Sequence, residues 1–457
     1  MNQQATRPVL RFFAANKWLV VVGLSLVLIG GTMIEEPPGN LTVILLSAGT
    51  GLLVAGSMML RSGWNPASAI LVALGAAIPI IVLTAVRFPV TLKNVPSIRA
   101  TQLIGFIVLV AAVALRGVRE RIVAILALFA VLFMTLYCLL FAYHDPIDID
   151  VYLLHEAAAE ALLDGQNPYS TGNVAVRETH PFDDRDLIGE YTYPPLALIA
   201  YAGSSIVFGD SRVIGALSIA VALGLVLWFC SQRPGDLGMR TGAAVVGMMC
   251  VLPMSYLLVY AGWTEALTLP FLVAAAAWWE RRWVAAAIMF GLAIATKQYM
   301  IVTVPMIVFL PSEDRWKRLA VSVATAFVTL IPFLVLDAEG LLNGVVRHHL
   351  TRSPRPDSAT LAGLGLHIPT AIGVALAVVA GVLVARRVRS GGQLLLAVSS
   401  VLAVFTILAV RGFRNSWWLV AALTAVAIAF PGDREEDLIC RPALAANQSR
   451  DIGSEAR

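Results

Sequence analysis

With 457 residues, 58% of them hydrophobic and only 14% charged, the chain carries more apolar surface than a soluble fold of this size can hide. Lipid must be its solvent over much of its length. A net charge of +4 is what loop lysines and arginines give a membrane protein, and it offers no support for nucleic-acid binding.

Apolar stretches of about 20 residues recur from end to end, each long enough to cross the hydrocarbon layer. The first, 18–34, follows Arg7, Arg11 and Lys17. No small-residue cleavage site comes after it; Glu35-Glu36-Pro37-Pro38 does, so it reads as a span and not as a signal peptide. Orientation follows from the basic loops. Placing the N-terminal arm, 116–121, Arg281-Arg282, 315–318 and 386–389 in the cytoplasm gives spans near 41–60, 67–86, 101–115 and 122–143. The N-terminal helices then occupy 1–143, and an outer segment, 144–212, follows them. Parity makes 193–208 a re-entrant or surface-lying element. Central spans at 213–230, 243–260 and 266–279 come next, with Gly262-Trp263-Thr264-Glu265 at an outer turn. The stretch 284–310 has basic loops on both sides, so two short helices with a turn near Lys297 fit it better than one long helix. A span at 319–336 closes the central region 213–336; an outer loop follows at 337–368. Spans at 370–385, 394–410 and 417–430 make up the C-terminal region 369–430, and a cytoplasmic tail, 431–457, ends the chain. The expected fold is an all-α polytopic membrane protein of about 12–14 transmembrane helices.

Arg87, Lys93, Arg99, Arg347, Arg352, Arg355, Arg411 and Arg414 fall on the outer side against the positive-inside rule. Several cations on one face point to an anion there, such as a lipid phosphate; general headgroup contact is the plainer reading. The four cysteines, Cys138, Cys230, Cys250 and Cys440, lack metal-ligand spacing and read as core fillers.

The most informative stretch runs from Asp148 to Pro195. Asp148-Ile149-Asp150-Val151-Tyr152 leads into a helical pattern up to Asp164, with Gly165 as its cap and Pro168 preventing continuation. Val151, Leu154, Ala158, Ala161 and Leu162 share one face, with His155, Glu156 and Glu160 elsewhere, as in a helix lying on a membrane surface. Capping needs one carboxylate, so the pair Asp148 and Asp150 leaves one over. Asp148-Ile149-Asp150 also matches the three-residue metal motif of soluble nucleotide-sugar transferases, but no nucleotide is expected outside and no metal or other cofactor is assigned. Tyr191-Thr192-Tyr193-Pro194-Pro195 then returns the chain to the membrane, with Tyr193 read as structural rather than catalytic.

An acidic residue four before a tyrosine, then a helix, Gly-x-x-Pro-Tyr and Tyr-Pro-Pro, resembles the polyprenyl-phosphate-mannose-dependent membrane mannosyltransferases. These include the phosphatidylinositol-mannoside enzymes within the GT-C glycosyltransferase superfamily. The resemblance runs from Asp148 to Gln298 and implies a GT-C helical bundle whose outer loops carry short interfacial helices. It also implies a multi-pass protein of the plasma membrane, with its site on the extracytoplasmic face. Asp148 matches the family's proposed catalytic base. Ala295-Thr296-Lys297-Gln298 is similar to its lysine-bearing helix end. At the outer turn this chain has Glu265 where family members commonly show Gly-Gln and a polar residue.

The chemistry follows. Nucleotide sugars are cytoplasmic, so a transferase working outside needs a donor carried by lipid, which the resemblance implies to be a polyprenyl-phosphate sugar, with a lipid or glycan as acceptor. A carboxylate must take the acceptor's proton as it attacks the anomeric carbon, with inversion; Asp148, with Asp150 beside it, is the candidate for that role. Cations must hold the departing phosphate: Lys297 inside the membrane region, with no evident partner, and Arg352 and Arg355 in the outer loop. His348, His349, Glu265 and Tyr193 are the candidates for contact with sugar or acceptor. Arabinofuranosyl transfer on the same fold is the nearest alternative. A lipid or glycolipid transporter is the alternative of a different class, but the sequence shows no inverted repeat.

Overall fold

The computed structural model describes residues 40–59, 77, 80–81, 96–115, 120–144, 149–170, 172–174, 190–233, 236–351, 358–412, 414–427 and 429–430. The expected spans at 18–34 and most of 67–86, the cations Arg87 and Lys93, and the tail 431–457 lie outside them.

Among the described residues every regular element is helical. In chain order they are α1 (Asn40–Met59), α2 (Pro96–Ala114), α3 (Glu120–His144), α4 (Asp150–Leu163), α5 (Pro195–Phe208), α6 (Arg212–Ser231), α7 (Asp236–Val251), α8 (Pro253–Tyr260), α9 (Glu265–Trp278) and α10 (Trp283–Thr296). A 3₁₀ turn (Gln298–Thr303) leads to α11 (Val304–Val308), α12 (Arg315–Leu342), a π-helical turn (Asn343–Arg347) and α13 (His348–Thr351). The last three are α14 (Thr370–Ala385), α15 (Gly391–Leu408) and α16 (Arg414–Ala427).

Four described helices are long and apolar enough to cross a membrane: those starting at Glu120, Arg212, Arg315 and Gly391. The expected single span 243–260 is instead two helices, α7 and α8, meeting at 63°. Pro253 causes this, since it has no N–H for the helical ladder and clashes with the preceding turn; Leu252 is extended there. Counted together they make a fifth span, and seven shorter apolar helices accompany them. Outward faces fit lipid contact. Ile122, Ile125, Leu128, Phe129, Leu132, Leu136 and Leu140 form an exposed stripe along α3 at three- and four-residue spacing. The chain is a multi-pass membrane protein.

With no hydrophobic drive between helices in lipid, close backbone approach must hold them together. At the α2–α7 crossing a Cβ on Gly105 would lie 2.6 Å from the Gly247 carbonyl oxygen, and one on Gly247 2.7 Å from that of Gly105. Cys138, Cys230 and Cys250 are buried and free, filling the core as expected.

Three of the basic segments, at 281–282, 315–318 and 386–389, meet at one end of the bundle. There Arg318 donates to the Trp279 carbonyl (3.1 Å) and stacks on its ring, Gly391 N donates to Glu280 (3.2 Å), and Ser390 with Gln393 forms a capping box at α15. The opposite end carries α4 and the candidate site.

Candidate active site

α4 starts where Ile149 leaves extended geometry and stops at Gly165, whose φ of +71° suits glycine. Val151, Leu154, Ala158 and Ala161 are buried as expected, and Leu162 is partly so. His155 departs from expectation. It is fully buried, not on the polar side, because its ring finds two polar partners and an aromatic stack beneath the helix. Glu156 turns inward too, accepting from Ser205 Oγ (2.5 Å) and the Ser211 amide (3.0 Å). Asp150 sits at the first turn and accepts from the Val151 amide at 2.8 Å, a helix-start role.

Above α4 the chain returns through a tyrosine-rich passage. Tyr169 Oη donates to the Tyr193 carbonyl at 2.6 Å, and the Tyr191 amide donates to the Pro168 carbonyl at 2.8 Å. This passage rests on the end of α12. Cβ atoms at Gly340 and Gly344 would run into the Tyr169 and Tyr191 carbonyl oxygens, so only glycine lets the backbones meet. Asp337, whose φ of −162° and ψ of 89° break the helix, accepts from Ser170 Oγ and from the Gly340 amide.

Helix α10 ends at Thr296, and Lys297 is extended before the 3₁₀ turn begins, which is the expected turn. Lys297 is not without a partner, however. Its Nζ lies 3.0 Å from Glu265 Oε1, with Lys297 at 5% and Glu265 at 0% exposure. The two are 32 positions apart but adjacent in space, because α9 and α10 pack antiparallel, joined by the Thr268–Thr296 hydroxyl contact at 2.7 Å. The ammonium also lies 4.6 Å from the Tyr193 ring centre. Three donors converge on Glu265 Oε1: Lys297 Nζ, Tyr299 Oη at 3.0 Å and Asn415 Nδ2 at 2.9 Å. Among the described residues, the buried Oε2 has no hydrogen-bond partner.

His349 closes the group. Its Nε2 lies 2.9 Å from the Thr192 carbonyl and 2.6 Å from the Gln298 amide nitrogen, so it touches the neighbours of both Tyr193 and Lys297. His348 packs edge-on against it at 5.2 Å. Both histidines stand on helix within the segment 337–368, because the helix that resumes after Asp337 runs on through its π-helical turn to Thr351.

The structure therefore brings together Tyr193, Glu265, Lys297 and His349, with His348 beside them, at one end of the bundle. Asp148, Arg352 and Arg355 lie outside the described residues. The sequence reading missed His155, Tyr299 and Asn415. The available signal was Glu265 and Lys297 themselves: two opposite charges at the ends of apolar stretches each need a partner. Desolvation holds the His155 imidazole neutral, with its pKa lowered to about 3, and the nearby Lys297 charge adds to this. Burial pushes the Tyr169 and Tyr191 phenols well above their usual range.

The site is a buried cation held by one carboxylate oxygen, walled by aromatic rings, with the second carboxylate oxygen uncommitted. It suits an anionic group carrying hydroxyls, and it is built from residues 193 to 415.

Comparison with known proteins falls on the same stretch. The family model for glycosyltransferase family 87 matches residues 191–411, just under half of the chain. No curated protein matches. Among solved structures, the crystal structure of ArnT from Cupriavidus metallidurans bound to undecaprenyl phosphate is similar at 18% identity and a TM-score of 0.42. That likeness covers 68% of this chain, which spans 59% of that one. Over the residues that build the site, the chain is thus similar to glycosyltransferase family 87.

Proposed function

We propose that the chain is an inverting membrane glycosyltransferase that takes a hexose, mannose by resemblance, from a polyprenyl-phosphate donor to a lipid or glycan acceptor at the extracytoplasmic face. The observation that carries this reading is the Lys297–Glu265 pair, buried at a helix break between the tyrosine passage and His349, inside the stretch similar to a glycosyltransferase family. A buried charge pair seldom stabilises a fold, since desolvation offsets much of the attraction. Such a pair inside a membrane bundle therefore supports the reading of a working site.

In this reading the Lys297 ammonium turns from Glu265 to the donor phosphate and stabilises the charge that develops as the sugar–phosphate bond breaks. Arg352 and Arg355 add positive charge from the outer loop. Glu265 Oε2 accepts from a sugar hydroxyl, and the Tyr193 face gives the sugar an apolar wall. His348 and His349 complete the substrate wall. Asp148 removes the proton of the attacking acceptor hydroxyl as the acceptor oxygen bonds to the anomeric carbon and the phosphate leaves from the opposite side. Asp150 anchors the start of α4, holding the segment that bears the base.

The test is transfer from radiolabelled polyprenyl-phosphate mannose in membranes supplied with a lipid extract. Asp148→Asn and Asp148→Ala, inserted normally, are expected to lose at least about a hundredfold in transfer. Undiminished transfer in both removes Asp148 as the base. Transfer from a polyprenyl-phosphate pentose but not from the mannose donor would overturn the choice of sugar.

A further inference from the structure

We infer that His155 is a positioning residue that holds the Gly262–Glu265 turn in place and thereby fixes Glu265 opposite Lys297, an assignment that rests on the anion-site reading of that pair. The argument begins with the ring's two hydrogen bonds. Nε2 lies 3.1 Å from the Gly262 carbonyl oxygen, which can only accept, so Nε2 carries the hydrogen. In a neutral ring Nδ1 is then an acceptor, and Tyr191 Oη donates to it at 2.8 Å. The tautomer is thus set by the fold. Tyr201 stacks on the ring at 4.3 Å and 18°, and its hydroxyl donates to the Trp263 carbonyl at 2.9 Å.

Two consecutive carbonyls of one turn are therefore held by side chains of two different helices, α4 and α5. The turn needs such support. Gly262 takes a φ of +69°, and α9 begins at Glu265 with no side chain capping it. The segment that contacts His155 also reaches the other half of the site. Tyr191 donates to His155, Tyr193 packs on its ring and faces Lys297, and Thr192 between them accepts from His349. His155 thus joins the interfacial helix that follows Asp148 to the turn that precedes Glu265. A shift of α4 is transmitted to the carboxylate that holds the cation.

The rival account, a histidine that only fills space, makes a different forecast. The test uses the full-length protein in nanodiscs with His155→Phe, which keeps ring and volume, His155→Gln, which keeps a donor for Gly262, and Tyr201→Phe, which removes the Trp263 contact alone. Amide exchange over 262–266 is read by hydrogen–deuterium mass spectrometry, beside the melting temperature and donor saturation. Loss of one buried hydrogen bond speeds local opening about tenfold. His155→Phe is expected to raise exchange at 262–266 by about that factor and donor KM by about fivefold or more, and to lower the melting temperature because the Gly262 carbonyl and the Tyr191 hydroxyl lose their partner. His155→Gln should restore slow exchange, and Tyr201→Phe should move exchange in the same direction as His155→Phe but less. Exchange at 262–266 equal to wild type in both phenylalanine variants overturns the proposal. If His155→Phe fails to fold, the Gln and Tyr201 variants decide it alone: wild-type exchange in Tyr201→Phe, or exchange in Gln as fast as the unfolding baseline, counts against it. A wild-type protein that transfers no sugar sinks the enzyme reading and leaves the exchange result standing by itself.

Discussion

Lys297 and Glu265 form an ion pair that the fold has little thermodynamic reason to keep. Breaking such a pair from one side leaves a buried charge and costs about 3–5 kcal/mol, whereas replacing both members with apolar groups is often neutral. Here the cost is uneven. Glu265 keeps Tyr299 and Asn415 as hydrogen-bond donors when Lys297 is lost, while Lys297 without Glu265 keeps the ring faces of Tyr193 and Tyr299 but, among the described residues, no carboxylate. Glu265→Ala is therefore expected to lower the melting temperature more than Lys297→Met, and differential scanning fluorimetry in detergent checks the order. In function the ranking reverses. A charge-assisted contact to phosphate is worth about 1.5–3 kcal/mol, so Lys297→Met should raise donor KM by about ten- to hundredfold and leave acceptor KM near wild type. An unchanged donor saturation curve counts against the phosphate role. His155 supplies a pH signature. Its folded pKa is lowered to about 3, so the unfolded chain binds a proton below about pH 6.5 that the folded chain refuses. Its contribution to stability is thus complete above pH 6.5 and falls, by at most about 1.4 kcal/mol per pH unit, as the pH drops toward 3. His155→Gln should flatten the loss of melting temperature between pH 7 and pH 5; parallel curves for the two proteins would contradict a buried neutral ring.

Element boundaries set this site more than composition does. The break of α10 at Lys297 was legible from parity, since basic loops flank 284–310 on both sides, and α4 was legible from its apolar face and Gly165. The burial of His155 was not, because a carbonyl and a tyrosine hydroxyl distant in sequence draw it inward and helical periodicity records only hydrophobic preference. The pairing of Glu265 with Lys297 was hidden for the same reason: it depends on how α9 and α10 pack. The bend between α7 and α8 carried a local sign, Pro253, which an uninterrupted apolar run obscured. At the seam between α12 and the tyrosine passage, sequence shows two glycines four apart and structure shows their use. Gly344→Ala forces its Cβ against the Tyr191 carbonyl and is expected to cost about 1–3 kcal/mol. Gly51→Ala, which meets nothing within 4 Å, should be neutral or slightly stabilising. Equal melting temperatures for the two variants would remove the close-approach account of the seam.

At the scale of the molecule, charge and chemistry segregate among the described residues. Trp279, Glu280, Arg318 and Ser390 meet at one end, while Tyr193, Glu265, Lys297 and His349 meet at the other. The apolar stripe on α3 and the glycine contact of α2 with α7 place a lipid-facing bundle between them. The sugar and the acceptor depend on features that no helix pattern encodes. The anion site is different, because its charge is buried at a fixed place and a lipid phosphate is a simple probe of it. The most direct measurement is binding of polyprenyl phosphate to the purified full-length protein in nanodiscs, with the phosphate-free polyprenol as the control, in wild type and Lys297→Met. The account predicts saturable binding of the phosphate over the alcohol in wild type and a loss of at least about tenfold in affinity in the variant. Equal affinity of the two proteins for polyprenyl phosphate would contradict it.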